Sequence, residues 1–240
     1  MIKKLVGRMA TFPARAEFLP KAIESLQGQL DQLVVVLNEY TRKRAKRLPS
    51  FQNVSYVIPP TDTKDTGKFL GERHETEYVF LADDDLLYPP DYVETLVQAY
   101  ESLPTDRAVV GLHGVVYSDL FDGAARSRFV AKFDKFLAGR LLVNQLGTGC
   151  AMTRGDLLPS FEYMATSQRF VDIRFARYCH EQHIGMVCLP RAGDWVKDLE
   201  AGDSIFETYT RGNQENQLEE ILAFGGYGKL DAKLALKVEA

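Results

Sequence analysis

The sequence predicts an α/β protein whose mostly parallel central sheet is doubly wound, with helices on both faces. Three observations predict it. Apolar runs of strand length such as Leu33 to Leu37 are continuous rather than alternating, as in strands covered on both sides. These runs alternate with stretches whose apolar residues recur at helical spacing. The run from Tyr78 (YVFLADDDLLYPPD) passes directly into three carboxylates, and open sheets of this class bind ligands at the carboxyl ends of their strands. At 240 residues, 45% apolar and 26% charged, the chain fits one large soluble domain, or a domain with a small appendage.

Leu5 to Phe12 reads as the first strand, closed by Thr11-Phe12-Pro13. A helix from about Ala16 to Gln27 follows, with Phe18, Leu19, Ala22, Ile23 and Leu26 on one face. Leu33 to Leu37 is the second strand and ends at Asn38. Thr41 to Arg47 packs five basic residues into seven, which suits a solvated surface or contact with an anionic membrane. Val54 to Ile58 is a third strand, stopped by Pro59-Pro60. Residues 61 to 69 (TDTKDTGKF) form a polar turn. It fails as a P-loop because Asp62 stands where the first glycine is required. Lys64 and Lys68 lie just before the acidic strand, where either ammonium could meet a phosphate or remain solvated.

Asp83, Asp84 and Asp85 repel one another, and each shifts toward its neutral form unless a cation offsets the charge. One aspartate before a helix can be an N-cap. Here Leu86-Leu87-Tyr88 separate the triplet from Pro89-Pro90-Asp91, where the helix Tyr92 to Ser102 begins and Asp91 or a neighbour can cap it. The triplet therefore predicts a metal site of Asp83, Asp84 and Asp85. Hard oxygen donors suit Mg2+ or Mn2+, ions that share their coordination with substrate phosphates. If the backbone stays extended, Asp83 and Asp85 face one way and Asp84 the other.

Further along, Ala108 to Tyr117 reads as one strand with His113 as a core or pocket-edge residue. Ser118 to Gly139 is the least regular part. Leu146 to Met152 sets Gly147 and Gly149 around Thr148, either a tight turn or a place where backbone approaches a ligand. Asp156 opens a short helix. Asp172 lies near the start of an amphipathic helix with Ile173, Phe175 and Ala176 inward. Ile184 to Leu189 is a strand, and Trp195 follows in a loop, where it stacks on a sugar ring or simply packs. His180 and His183 read as surface residues. Asn213 to Phe224 is a last helix bearing Leu218, Ile221 and Leu222.

The net charge of -4 argues against nucleic acid as a partner. Three cysteines without CxxC spacing suggest neither a disulfide framework nor a zinc knuckle, so a reducing cytoplasm is expected. The apolar run after Lys3-Lys4 is broken by Arg8, and no stretch of about 18 apolar residues occurs.

TFPAR, LNEY, DTGKF, FLADDDLLYPPDYVE, GTGCAMTR and FVDIRFARYCHEQHIGMVCLPRAGDW, in this order over roughly residues 5 to 210, resemble a GT-A-fold glycosyltransferase of the family 2 type. The similarity is greatest to the bacterial branch that builds capsular or lipopolysaccharide chains. It implies a Rossmann-like GT-A catalytic domain over residues 1–212, with residues 213–240 a C-terminal helix and tail. It also implies an inverting, hexosyltransferase-type transfer from a nucleotide diphosphate sugar, with UDP expected, to a hydroxyl of a glycan or lipid-linked glycan. Membrane contact would be peripheral at most, at the inner face.

By position in that family, Thr11, Pro13 and Arg15 meet the nucleotide, and Lys68, Asp83, Gly147 and Thr148 border the donor. Asn38 replaces the usual uracil-contacting aspartate. The metal motif is usually D-x-D, and the triplet leaves its register ambiguous by one. Asp172 matches the second acid of the family's Glu-Asp pair, the catalytic base, with Val171 in place of the glutamate. One carboxylate suffices to take the acceptor proton. Two other classes remain. A sugar-phosphate nucleotidyltransferase would open on a glycine-rich loop, whereas LVGRMATFPAR has a single glycine. The other is a non-catalytic nucleotide- or carbohydrate-binding domain.

Overall fold

The structure, a computed structural model, describes residues 3–119, 127–199 and 215–226. Strand β1 (Lys4–Thr11) leads through a 3-10 turn, Pro13–Arg15, into helix α1 (Leu19–Gln27). Pro20 sits in its first turn, where a missing N–H costs no helical bond. Strand β2 (Gln32–Leu37), the short helix α2 (Arg42–Ala45) and strand β3 (Val54–Val57) follow. Thr41 caps α2 by accepting the Arg44 amide. A 3-10 segment, Lys64–Phe69, precedes β4 (Glu77–Ala82), β5 (Leu86–Leu87) and α3 (Tyr92–Glu101).

The second half runs β6 (Ala108–Gly111), β7 (Gly114–Tyr117), β8 (Arg128–Ala131), β9 (Leu141–Leu142), β10 (Gln145–Leu146) and β11 (Cys150–Arg154). Then come α4 (Phe161–Met164), α5 (Val171–Glu181), β12 (Gly185–Cys188), β13 (Lys197–Asp198) and α6 (Glu215–Phe224).

Eight strands form one sheet in the order β3-β2-β1-β4-β11-β6-β12-β9. β3, β2, β1 and β4 are mutually parallel, β12 is parallel to β6, and β11 and β9 run antiparallel to their neighbours. Two cores explain the continuous apolar strands. Tyr78, Phe80 and Ala82 of β4 face one core, with Ile23 and Leu26 of α1 and Leu96 of α3. Val79 and Leu81 face the other, with Phe69, Met164 and Phe175. Burying such a side chain fully is worth about 1.5–3 kcal/mol.

Several expectations are corrected. The stretch 108–117 is two strands, not one. β7 leaves the main sheet to pair with β8 and β10 in a separate three-stranded sheet. The crossing needs Gly114, where a Cβ would come within 2.9 Å of Cys188 Cβ. Within the stretch 118–139, read as the least regular part, the described residues hold the strand β8, and residues 120–126 lie outside the described residues. Asp91 stands at the N-cap of α3 without capping it, because its Oδ1 accepts the Trp195 indole N–H at 3.2 Å. The short helix read at Asp156 is a single 3-10 turn, Gly155–Leu157. In α6 Leu222 is exposed, whereas Glu220 is buried and accepts hydrogen bonds from Arg174 Nε at 2.9 Å. Residues 213–214 and 227–240 lie outside the described residues. No helix among the described residues is long and apolar enough to cross a membrane.

Candidate active site

Parallel pairing brings the carboxyl ends of β1, β2 and β4 to one edge of the sheet. Thr11 pairs with Leu37 and Met9 with Ala82, so Thr11, Asn38 and Asp83 emerge side by side. β11 runs the other way, with Cys150 opposite Ala82, which brings the preceding loop, residues 147–149, to the same edge.

The chain turns at Asp84 and Asp85 instead of staying extended. Tyr88 braces this turn. Its hydroxyl accepts the Asp83 N–H at 2.8 Å and lies 2.8 Å from the Gly149 carbonyl. The turn sends the three carboxylates to different surroundings. Asp83 pairs with the buried Lys68 ammonium. Asp85 Oδ2 lies 3.0 Å from Nη1 of the buried Arg15. Asp84 is buried, and its Oδ2 has no hydrogen-bond partner. Burial, then the Asp85 charge, push the Asp84 carboxyl up to about 7. Burial and the Asp83 charge push Asp85 up to about 6, with a further contribution from Asp198 on β13.

Lys68 links these carboxylates to the later helix. Burial alone would lower its pKa, but the Asp83 carboxylate, together with Asp172 and Asp65, more than offsets this and raises it. Lys68 Nζ also lies 3.3 Å from the Thr148 carbonyl and 3.4 Å from Thr148 Oγ1. Thr148 in turn donates its N–H at 2.8 Å and its hydroxyl at 2.7 Å to Asp172 Oδ1. Asp172 is thus two side chains away from Asp83.

Gly149 makes the approach possible, since a Cβ there would fall 2.0 Å from Asp83 Oδ2. At Gly147 a Cβ would meet His113 Cβ at 3.1 Å, and the Gly147 N–H donates to the His113 carbonyl at 2.8 Å. Burial lowers the His113 pKa, partly opposed by Asp172.

Thr11, Arg15, Lys68, Asp83, Thr148 and Asp172 are therefore brought together. Pro13 lies in the adjoining turn, where its carbonyl accepts from Arg44 Nη2 at 3.0 Å. Asn38 is buried and engaged elsewhere. Its Oδ1 accepts the Thr63 N–H and hydroxyl, each at 2.8 Å, and its Nδ2 donates to the Lys64 carbonyl at 2.8 Å. Lys64 pairs with Asp62. Trp195 packs against Tyr92 with ring centroids 6.1 Å apart. Tyr88, bonded to Asp83 and Gly149, and Tyr40, close enough to feel the Asp84 charge, border the candidate site and are not singled out by sequence reasoning. The Tyr-Pro after the triplet is the only signal for Tyr88.

Among the described residues no three His, Cys, Asp or Glu side chains gather into a group that could hold a metal ion. Asp83, Asp84 and Asp85 thus do not form a ready cage, because the turn directs them to different partners. The donor chemistry nevertheless fits a hard divalent cation. Buried Asp84 Oδ2 and Tyr40 Oη lack a hydrogen-bond partner, and the hydroxyl that acts on the Asp84 carboxyl is that of Thr11, which lowers its pKa too little to offset burial. Mg2+ or Mn2+ held by one or two carboxylates, with phosphate and water oxygens completing its shell, needs no protein cage.

A mostly parallel, doubly wound sheet consistent with the GT-A fold, with paired carboxylates and buried cations at its strand ends, defines a class of α/β protein that binds ligands at that edge. The family model described as glycosyl transferase family 2 matches residues 9–158, and the chain belongs to that family. No curated protein sequence matches the chain. Among solved structures it is similar to a crystal structure of mannose-6-phosphate isomerase from Helicobacter pylori, at 8% identity and TM-score 0.42, over 78% of this chain and 87% of that one. At that level the likeness supports no conclusion.

Proposed function

We propose that this family 2 glycosyltransferase moves a sugar, with inversion, from a nucleotide diphosphate sugar, UDP-linked in the first instance, to a hydroxyl of a glycan or lipid-linked glycan in bacterial surface polysaccharide synthesis. The observation that supports this most is the connection of Asp172 to the acidic turn through Thr148 and Lys68.

Arg15 and Lys68 place two buried cations where a diphosphate leaves, so negative charge developing there is stabilised in a low-dielectric setting. Of the triplet Asp83, Asp84 and Asp85, the unpartnered Asp84 with one neighbouring carboxylate would hold Mn2+ or Mg2+, which when bound supplies Lewis-acid stabilisation of the departing diphosphate. Thr148 fixes Asp172 through Oδ1, and Oδ2 takes the acceptor's proton as its oxygen forms the bond to the anomeric carbon and the bond to the diphosphate breaks. Asn38 acts by bracing the loop at 63–64. The exposed basic residues of α2 allow peripheral contact with the inner face of a membrane.

The test is a thermal-shift series with UDP, GDP and dTDP sugars, with and without MnCl2. Stabilisation by a UDP sugar that requires Mn2+ is expected. Equal stabilisation without metal would leave the donor to Lys68 and Arg15 alone, and no shift with any nucleotide would overturn the proposal.

A further inference from the structure

The 3-10 segment Lys64–Phe69 touches both sides of the site. Lys68 reaches Asp83 and Thr148, as described. Three residues earlier, Asp65 accepts the Arg169 amide with both oxygens, at 2.9 and 3.1 Å. Beside it, Gln168 Nε2 donates to the Asp62 carbonyl at 3.1 Å. Arg169 has φ +74°, a left-handed conformation that a non-glycine residue keeps only where its surroundings hold it there. Three residues further on lies Asp172. The contacts close a ring: Asp65 to Arg169, along the chain to Asp172, then through Thr148 to Lys68 and back along the 3-10 segment.

We propose that Asp65 is a positioning residue that clips the start of α5 to the donor side of the site, so that a diphosphate bound at Lys68 and Asp83 steadies Asp172. This rests on the function proposed above. Misplacement of a reacting group by about 1 Å can cost on the order of 100-fold in rate, so a clip at this point affects catalysis without touching substrate.

The experiment is hydrogen exchange on the full chain, free and with UDP plus MnCl2, with GDP and dTDP in parallel. In the wild type the nucleotide slows amide exchange over 64–69 and over 168–173. In Asp65→Ala the slowing at 64–69 is kept and that at 168–173 is lost. Asp65→Asn retains an oxygen acceptor and restores it, which a purely structural defect would not do. Asp65→Ser, whose shorter hydroxyl falls short of Arg169, serves as a second loss variant. Failure of every nucleotide to bind the wild type sinks the proposed function and this inference with it. Binding, with wild-type slowing at 168–173 in the alanine and serine variants, overturns this inference alone.

Discussion

Asp84 is held in a state that costs stability, and Asp84→Asn should show it. Its carboxyl is raised from 3.8 to about 7. That rise of about three, at ~1.4 kcal/mol for each tenfold change in proton affinity, makes the ionised group cost ~4 kcal/mol in the folded protein. The sign follows from proton uptake. A raised carboxyl pKa means that the folded state binds more protons than the unfolded chain, so stability falls as pH rises from about 4 to about 7 and then levels off. The amide does not titrate. Its advantage over the wild type should therefore be ~4 kcal/mol near pH 8 but only ~1.6 kcal/mol near pH 5. The difference, ~2.5 kcal/mol, does not depend on how well the amide itself fits. At ~2–4 °C per kcal/mol for a chain of this size, the gain in Tm should be roughly 5–10 °C larger near pH 8 than near pH 5. Calorimetry in EDTA, without nucleotide, measures it. A Tm difference that is flat with pH, or that shrinks as pH rises, refutes the reasoning.

Three further outcomes are expected. Gly149→Ala puts a Cβ 2.0 Å from Asp83 Oδ2, so it should lower Tm by the equivalent of about 1–3 kcal/mol and weaken nucleotide binding in a titration. Asp172→Asn can still accept from Thr148, and kcat should drop by about 10²–10⁴ with nucleotide affinity unchanged. Mn2+ binding with UDP should release protons, because a cation favours the ionised forms of Asp84 and Asp85. Calorimetry in buffers of different ionisation heat should find about one proton per ion near pH 6.5 and almost none near pH 8.5.

The sheet, and the strand end at which the candidate site is proposed, are legible because they depend on local pattern. Continuous apolar runs report burial on both faces, and Asp83 to Asp85 report the end of β4. The proximity of Asp172 came from resemblance, since no periodicity relates it to residues so much earlier in the chain. What was not legible depends on partners distant in sequence. Asp91 looks like a cap until Trp195 is seen to take its oxygen. Leu222 looks buried until Arg174 from α5 is seen to draw Glu220 inward in its place. Residues 108–117 are largely apolar, and only the close approach of Cys188 to Gly114 shows why the strand changes sheets. The triplet looks like a ready metal cage until Lys68 and Arg15, contributed by separate loops, divide it.

Crystals grown with UDP and MnCl2, recorded at the manganese edge, address the central claim most directly. The expected result is one anomalous peak at the turn Asp83 to Asp85, next to a diphosphate that Arg15 and Lys68 contact. A nucleotide bound elsewhere, or a diphosphate lying away from these side chains, would contradict the account.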